Sequence, residues 1–152
     1  MKIVEFLQAS AVIDDLAGTA AQPVLAQLAK PLALAHGVSA QRLLETLLER
    51  EKLGSTGIGD GVAIPHGKVP GLPAIMASFG RSRAGVDFRA IDGKPTYLFF
   101  TLFAPENSAG AHLKALARIS RIFKNATFRE SILKAADAAE IFRLIEAEDA
   151  KY

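Results

Sequence analysis

The sequence has no cysteine and no tryptophan in its 152 residues. Without thiols, disulfide staples, zinc–thiolate sites and thiol nucleophiles are all excluded. An excess of one charge is also missing. The 18 basic and 16 acidic side chains leave a formal charge of +2, too small to argue for a nucleic-acid surface despite a pI near 9.0. Long apolar runs are absent too. The longest, Tyr97 to Ala104, falls far short of the ~20 residues that span a bilayer. The opening MKIVEFLQAS lacks the charged start and extended apolar stretch of a secretory signal. A soluble cytoplasmic protein without membrane insertion is expected. What is present is globular in character: 50% of residues are hydrophobic and 22% charged. The length suits one domain, residues 1–152, with a real core.

Periodicity suggests the elements. Ile3 to Leu7 reads as a helical turn or edge segment, and Val12-Ile13 as a weak strand ending by Gly18. Val24, Leu25, Leu28 and Leu32 give Ala20 to Ala35 helical spacing. Pro23 suits a first turn, Pro31 predicts a kink or break, and Gly37 fits a helix end. Ser39 to Lys52 is a clear amphipathic helix capped by Ser39, with Leu43, Leu44, Leu47 and Leu48 on its apolar face. Ala74 to Gly80 reads as a strand, and Arg81 to Lys94 as a polar connection carrying Val86-Asp87-Phe88. Tyr97 to Phe103 is nearly continuous and aromatic, as befits a central strand buried on both faces. Three helices follow: Ser108 to Phe123, one opened by a Thr127/Glu130 capping box, and one opened by Asp137/Glu140. Strands interleaved with helices imply an α/β fold, a single domain with helices covering a sheet.

The chemistry concentrates in Gly54 to Lys68, GSTGIGDGVAIPHGK, which holds Gly54, Gly57, Gly59, Gly61 and Gly67. Dense glycine marks backbone that turns tightly or approaches a ligand closely. Val62-Ala63-Ile64 forms a short strand out of that bend. Pro65 ends it, and His66 follows at its tip, where ligand sites of α/β sheets gather. Nucleotide motifs fail on spacing. Gly61 and Gly67 have five residues between them where a phosphate loop needs four, Val69 stands where Ser or Thr must bind magnesium, and Gly57-Ile58-Gly59-Asp60-Gly61 lacks the dinucleotide pattern. The histidines His36, His66 and His112 are far apart in sequence with no acidic residue at ligand spacing, so no metal is expected. His36 reads as an ordinary helix-end residue.

A nucleophilic histidine remains. Neutral imidazole attacks phosphorus well and leaves well, which suits a phosphoryl relay. Oxygen-binding donors are available: backbone N–H groups of the glycine loop, Arg50 at its helix end, and His112 in the first turn of a helix. Ser55 and Thr56 either contact phosphate or only make turn hydrogen bonds. The stripe Lys114, Arg118, Arg121, Lys124 reads as a solvated helix face in preference to a nucleic-acid surface.

REKLGSTGIGDGVAIPHGK, Arg50 to Lys68, resembles the phosphorylation region of enzyme IIA domains of the mannitol/fructose class of the bacterial phosphotransferase system. The nitrogen-regulatory branch is the best match. FFTLFAP, Phe99 to Pro105, and Gly110-Ala111-His112-Leu113 resemble the family's core strand and second-histidine helix. The resemblance covers roughly residues 3–148. It implies a mixed sheet flanked by helices, His66 as phosphoryl acceptor, His112 as the histidine that orients the phosphoryl group, and Arg50 as the charge-stabilising arginine. It suggests Nε2 as the phosphorylated nitrogen. It also implies a phosphotransferase component that needs no cofactor. The donor is a phosphocarrier of the HPr or NPr type, and the downstream partners are regulated transporters or sensor kinases. The alternative is a sugar-specific IIA that relays phosphate to a IIB domain; the absence of a IIB or membrane segment in the chain tilts the expectation to regulation. Ser55, Thr56, Gly57 and Gly59 are expected to contact phosphate, and Ile58, Val62, Ile64 and Leu72 to form an apolar docking rim around His66.

Overall fold

The computed structural model describes residues 1–152. A mixed sheet carries helices on both faces, as the interleaved pattern predicts. The strands are β1 (Leu7–Ile13), β2 (Gly57–Gly59), β3 (Val62–Ala63), β4 (His66–Lys68), β5 (Met76–Val86) and β6 (Thr96–Ala104). The helices are α1 (Ala21–His36), α2 (Ala40–Lys52), α3 (Ala109–Phe123), α4 (Ala126–Lys134) and α5 (Ala138–Asp149), with a 3₁₀ turn at Ile3–Glu5. The strand order is β1-β5-β6-β3-β2, and β4 also pairs with β6. β6 is central, and Phe99, Phe100 and Phe103 are fully buried in it. No helix is long and apolar enough to cross a membrane.

Side-chain alternation assigns the two faces. Ser78 Oγ donates to the Leu28 carbonyl of α1 at 2.8 Å, whereas the next residue, Phe79, stacks on Phe123 of α3 with centroids 5.8 Å apart. So α1 and α2, which pack together, lie on one face, and α3 lies on the other with α4 and α5.

Several elements depart from the sequence reading. β1 spans Leu7–Ile13 and pairs in parallel with β5, well beyond Val12-Ile13. β5 starts at Met76 and runs through Arg81 to Val86, where a polar connection was expected. Ser78 and Arg81 are buried in it because tertiary partners satisfy them, whereas Arg83 is exposed. Fully buried Arg81 donates to the carbonyls of Asp14 (3.0 Å), Ile132 (2.9 Å) and Ala135 (2.7 Å), and forms an ion pair with Asp14. That guanidinium holds the Asp14 carboxyl below its usual range. α1 continues unbroken through Pro31, because Leu28 and Leu32 seat the turns on either side of it in the core. Asn125 caps α4, accepting from the Phe128 N–H, so Thr127 is not its cap. Asp137 caps α5 as expected, and Gly37 closes α1 at φ +68°.

β3 and β4 run along the same side of β6, Val62 opposite Leu98 and His66 opposite Leu102. The ladder is interrupted at Ile64-Pro65 and then resumes, so Pro65 does not end it. Gly67 sets how closely α2 approaches. A Cβ there would lie 2.4 Å from Thr46 Cγ2. Gly67→Ala is expected to destabilise the fold by about 1–3 kcal/mol through overpacking. A second change, Thr46→Ala, should recover most of that loss, and urea midpoints of the single and double variants check both.

Candidate functional site

Alternation along β4 builds the site. Gly67 faces α2, so His66 and Lys68 face α3. His112, in the first turns of α3, meets His66 there edge-on, with ring centroids 5.6 Å apart. The sequence reading placed both histidines in the site, and the fold brings them together across 46 positions (112 − 66) of chain. Arg50 lies one helical turn beyond Thr46, the residue that touches Gly67, so it reaches the same neighbourhood. Its Nη1 donates to the Gly54 carbonyl at 2.9 Å, folding the side chain over the end of α2.

His66 is half-buried, and its Nδ1 lies 2.7 Å from the Ile64 carbonyl oxygen. A carbonyl only accepts, so Nδ1 carries the proton and Nε2 keeps its lone pair. Burial pushes the His66 pKa below 6.5; the Ile64 hydrogen bond and the Glu51 charge oppose this, and the Arg50 charge adds to it. His112 is buried and also has a lowered pKa, from burial first and then from His66 and Lys68. Both rings are therefore neutral at neutral pH. His112 Nε2 is buried without any hydrogen-bond partner, an orphan polar atom beside the His66 imidazole.

The glycine loop has a different task from the one expected. Ser55 Oγ donates to the Phe88 carbonyl at 2.6 Å and accepts from the Gly57 N–H at 3.0 Å. Thr56 gives both its N–H, at 3.2 Å, and its hydroxyl to the Glu51 carboxylate. A Cβ on Gly59 would lie 3.5 Å from Asp92 Oδ2, an anion that would repel phosphate. Ser55, Thr56 and the Gly57 N–H are thus engaged within the loop in place of the phosphate contacts expected of them, and Gly59 lies next to Asp92. β2 and β3 form a hairpin across Asp60-Gly61, with φ values of +56° and +75°. The Asp-Gly pair is the signal for a two-residue hairpin turn of this kind, and it was legible in the sequence.

The docking rim needs a similar correction. Val62, Ile64 and Leu72 are 1%, 4% and 7% exposed and belong to the core cluster. Ile58 alone of the four is exposed; Leu53 and Leu113 are exposed apolar residues beside Arg50's helix end and His112. Sequence reasoning also missed Lys68. The two-residue period that puts it on His66's face could have found it. Of the basic stripe on α3, Arg118 bonds Asp149 at 2.5 Å and Arg121 lies 4.7 Å over the Tyr152 ring. His36 ends α1 and is exposed, as read.

The arrangement can do one thing well. It offers a neutral, oriented imidazole nitrogen to an electrophile, with an unpartnered donor and two cations near the charge that would build up. Comparison with known proteins gives the family. Residues 5–148 match the family model described as phosphoenolpyruvate-dependent sugar phosphotransferase system, EIIA 2. The chain is 38% identical over 145 residues to a nitrogen regulatory protein of Bradyrhizobium diazoefficiens, covering 95% of each. It is also 38% identical over 109 residues to a fructose-specific EIIABC component of Bacillus subtilis; that match takes in 72% of this chain and spans 17% of that larger protein. The crystal structure of the nitrogen regulatory protein IIA-Ntr of Neisseria meningitidis superposes with a TM-score of 0.88 at 36% identity, covering 94% of this chain and 98% of that one. With the match running almost from end to end, the chain belongs to the EIIA type 2 family of the phosphotransferase system.

Proposed function

We propose that this protein is a phosphoryl-accepting regulator of the nitrogen branch, carrying phosphate on His66 Nε2. The observation that carries this reading is the pairing of an Nδ1–H fixed on the Ile64 carbonyl with the orphan Nε2 of His112 beside the same ring. The Nε2 lone pair attacks the phosphorus of a donor phosphohistidine on an HPr- or NPr-type phosphocarrier. The Nε2–P bond forms as the donor's N–P bond breaks, and the proton stays on Nδ1, donated to the Ile64 carbonyl, throughout. His112, as the tautomer with hydrogen on Nε2, donates to a phosphoryl oxygen, while Arg50 and Lys68 offset the charge. Partner transporters or sensor kinases would then read whether His66 carries the group. The likeness to nitrogen regulatory proteins over nearly full length favours this branch. The likeness to the fructose-specific component favours a second reading, relay to a IIB domain. Transfer of label from the phosphorylated protein to an isolated IIB domain would select the second.

Incubation with phosphoenolpyruvate, enzyme I and a phosphocarrier should add one acid-labile phosphoryl group, seen by intact-protein mass. His66→Ala should take none, and His112→Ala should take it about 10²-fold more slowly. Label retained in His66→Ala, or stable to acid, overturns the assignment.

The pH dependence follows from the lowered imidazole pKa values. A protonated His66 has no lone pair at Nε2, so the phosphorylation rate should stay flat around neutrality and fall only below pH 6.5, the ordinary histidine value. Stability moves the same way. The unfolded chain takes up these protons at higher pH than the folded one, so stability is complete above pH 6.5 and declines as pH falls through the folded values. Urea midpoints measured against pH should show that decline, and it should be smaller in His112→Ala.

A further inference from the structure

We propose that Glu51 is a positioning residue whose fixed negative charge, beside Arg50, holds the phosphoryl equilibrium of His66 back from the phosphorylated state. This deepens the reading of His66 as acceptor and rests on it. Arg50 and Glu51 are adjacent in the last turn of α2 and carry opposite charges. Arg50 arches over the helix end to the Gly54 carbonyl. Glu51 turns to the loop, where its carboxylate takes both the N–H and the hydroxyl of Thr56. Thr56 is itself buried, and its carbonyl accepts from the Ile64 N–H at 3.1 Å. A continuous set of hydrogen bonds therefore runs from the Glu51 carboxylate through Thr56 to Ile64, and from the Ile64 carbonyl to His66 Nδ1.

The charged and titratable groups facing His66 are Arg50 and Glu51 from α2, His112 from α3, and Lys68 from its own strand. Glu51 is the one anion among them. Its charge favours the protonated imidazole and opposes the Arg50 charge. Toward a dianionic phosphoryl group on Nε2 the signs reverse. Arg50 and Lys68 attract it, and Glu51 repels it. A carrier that must both accept the group and lose it again gains from such a counterweight, since a purely cationic pocket would trap the phosphoryl group. The Thr56 anchor keeps the carboxylate from swinging out to solvent or closing on Arg50. No Arg50–Glu51 ion pair forms, although the two are neighbours.

Glu51→Gln keeps the size and an acceptor oxygen for Thr56 but removes the charge. Its equilibrium constant for phosphoryl exchange with the donor should rise roughly threefold, read as the phosphorylated fraction by mass at fixed donor ratio. The His66 imidazole C–H titration, followed by NMR, should move to lower pH. Both shifts should shrink in 1 M salt, which a purely structural role would not predict. Thr56→Val keeps the charge but removes the hydroxyl anchor, and should shift both readouts the same way by less. If Glu51→Gln does not fold, this second variant decides. Unchanged exchange and unchanged titration in the variant measured overturn the proposal. If the wild type takes no phosphate on His66, the functional reading falls. The titration then still stands alone: a shift in Glu51→Gln upholds the charge coupling, and no shift removes it.

Discussion

The hydrogen bond from His66 Nδ1 to the Ile64 carbonyl governs the rest of the site. It exists because the strand beside β6 is broken at Pro65. Proline cannot donate to a ladder and holds the residue before it in extended backbone. The Pro65 carbonyl still accepts from the Leu102 N–H at 3.0 Å, so pairing with β6 resumes one residue later, at His66 opposite Leu102. The break leaves the Ile64 carbonyl to the imidazole two residues on. An unbroken strand would carry His66 in some rotamer of either tautomer. The broken one fixes the proton on Nδ1 and leaves Nε2 as the only basic nitrogen.

From that bond, the two-residue period of β4 distributes the other parts. Gly67 offers no side chain to α2, so the helix settles against the strand and carries Arg50 to the site. His66 and Lys68 face α3, where His112 waits without a partner for its Nε2. An unsatisfied buried donor costs stability, on the order of 1–3 kcal/mol, and is retained where a ligand atom completes it. Desolvation lowers both imidazole pKa values and keeps the site neutral until an anion arrives. The cations then act on the incoming charge against the single anion of the site, the Glu51 carboxylate that Thr56 holds.

What the sequence disclosed was mostly local. The Ser39 and Asp137 caps, the Gly37 helix end and the aromatic run of β6 are determined within a few residues, and each appears where the pattern put it. His66 and Arg50 were nameable because the stretch from Arg50 to Lys68 is long and specific, and His112 because it opens a helix within Gly110-Ala111-His112-Leu113. What escaped notice depends on distant partners. Arg81 and Ser82 look like loop residues until the carbonyls at the end of α4 are there to receive the guanidinium. Val62 and Ile64 look like a rim until the strand pairs along β6 and their side chains join the core. Thr127 was read as the cap of its helix, but α4 starts two residues earlier than that reading requires, at Ala126, and Asn125 takes the role.

The glycine loop shows why composition alone misassigned a role. Gly57, Gly59 and Gly61 suggest backbone amides open to an anion, yet the neighbouring groups are held by Glu51, Ser55 and Asp92. Their small size serves a hairpin that clamps β3 against β6 and so fixes the position of the Pro65 break. Phosphoryl chemistry needs its nucleophile held at one place and in one tautomer. It has less need of a cradle when an aligned imidazole donor and two cations already stand around the acceptor. Loop and site are thus joined through Thr56 and Ile64: the glycines make the joint possible, and the His66 imidazole hangs from its end.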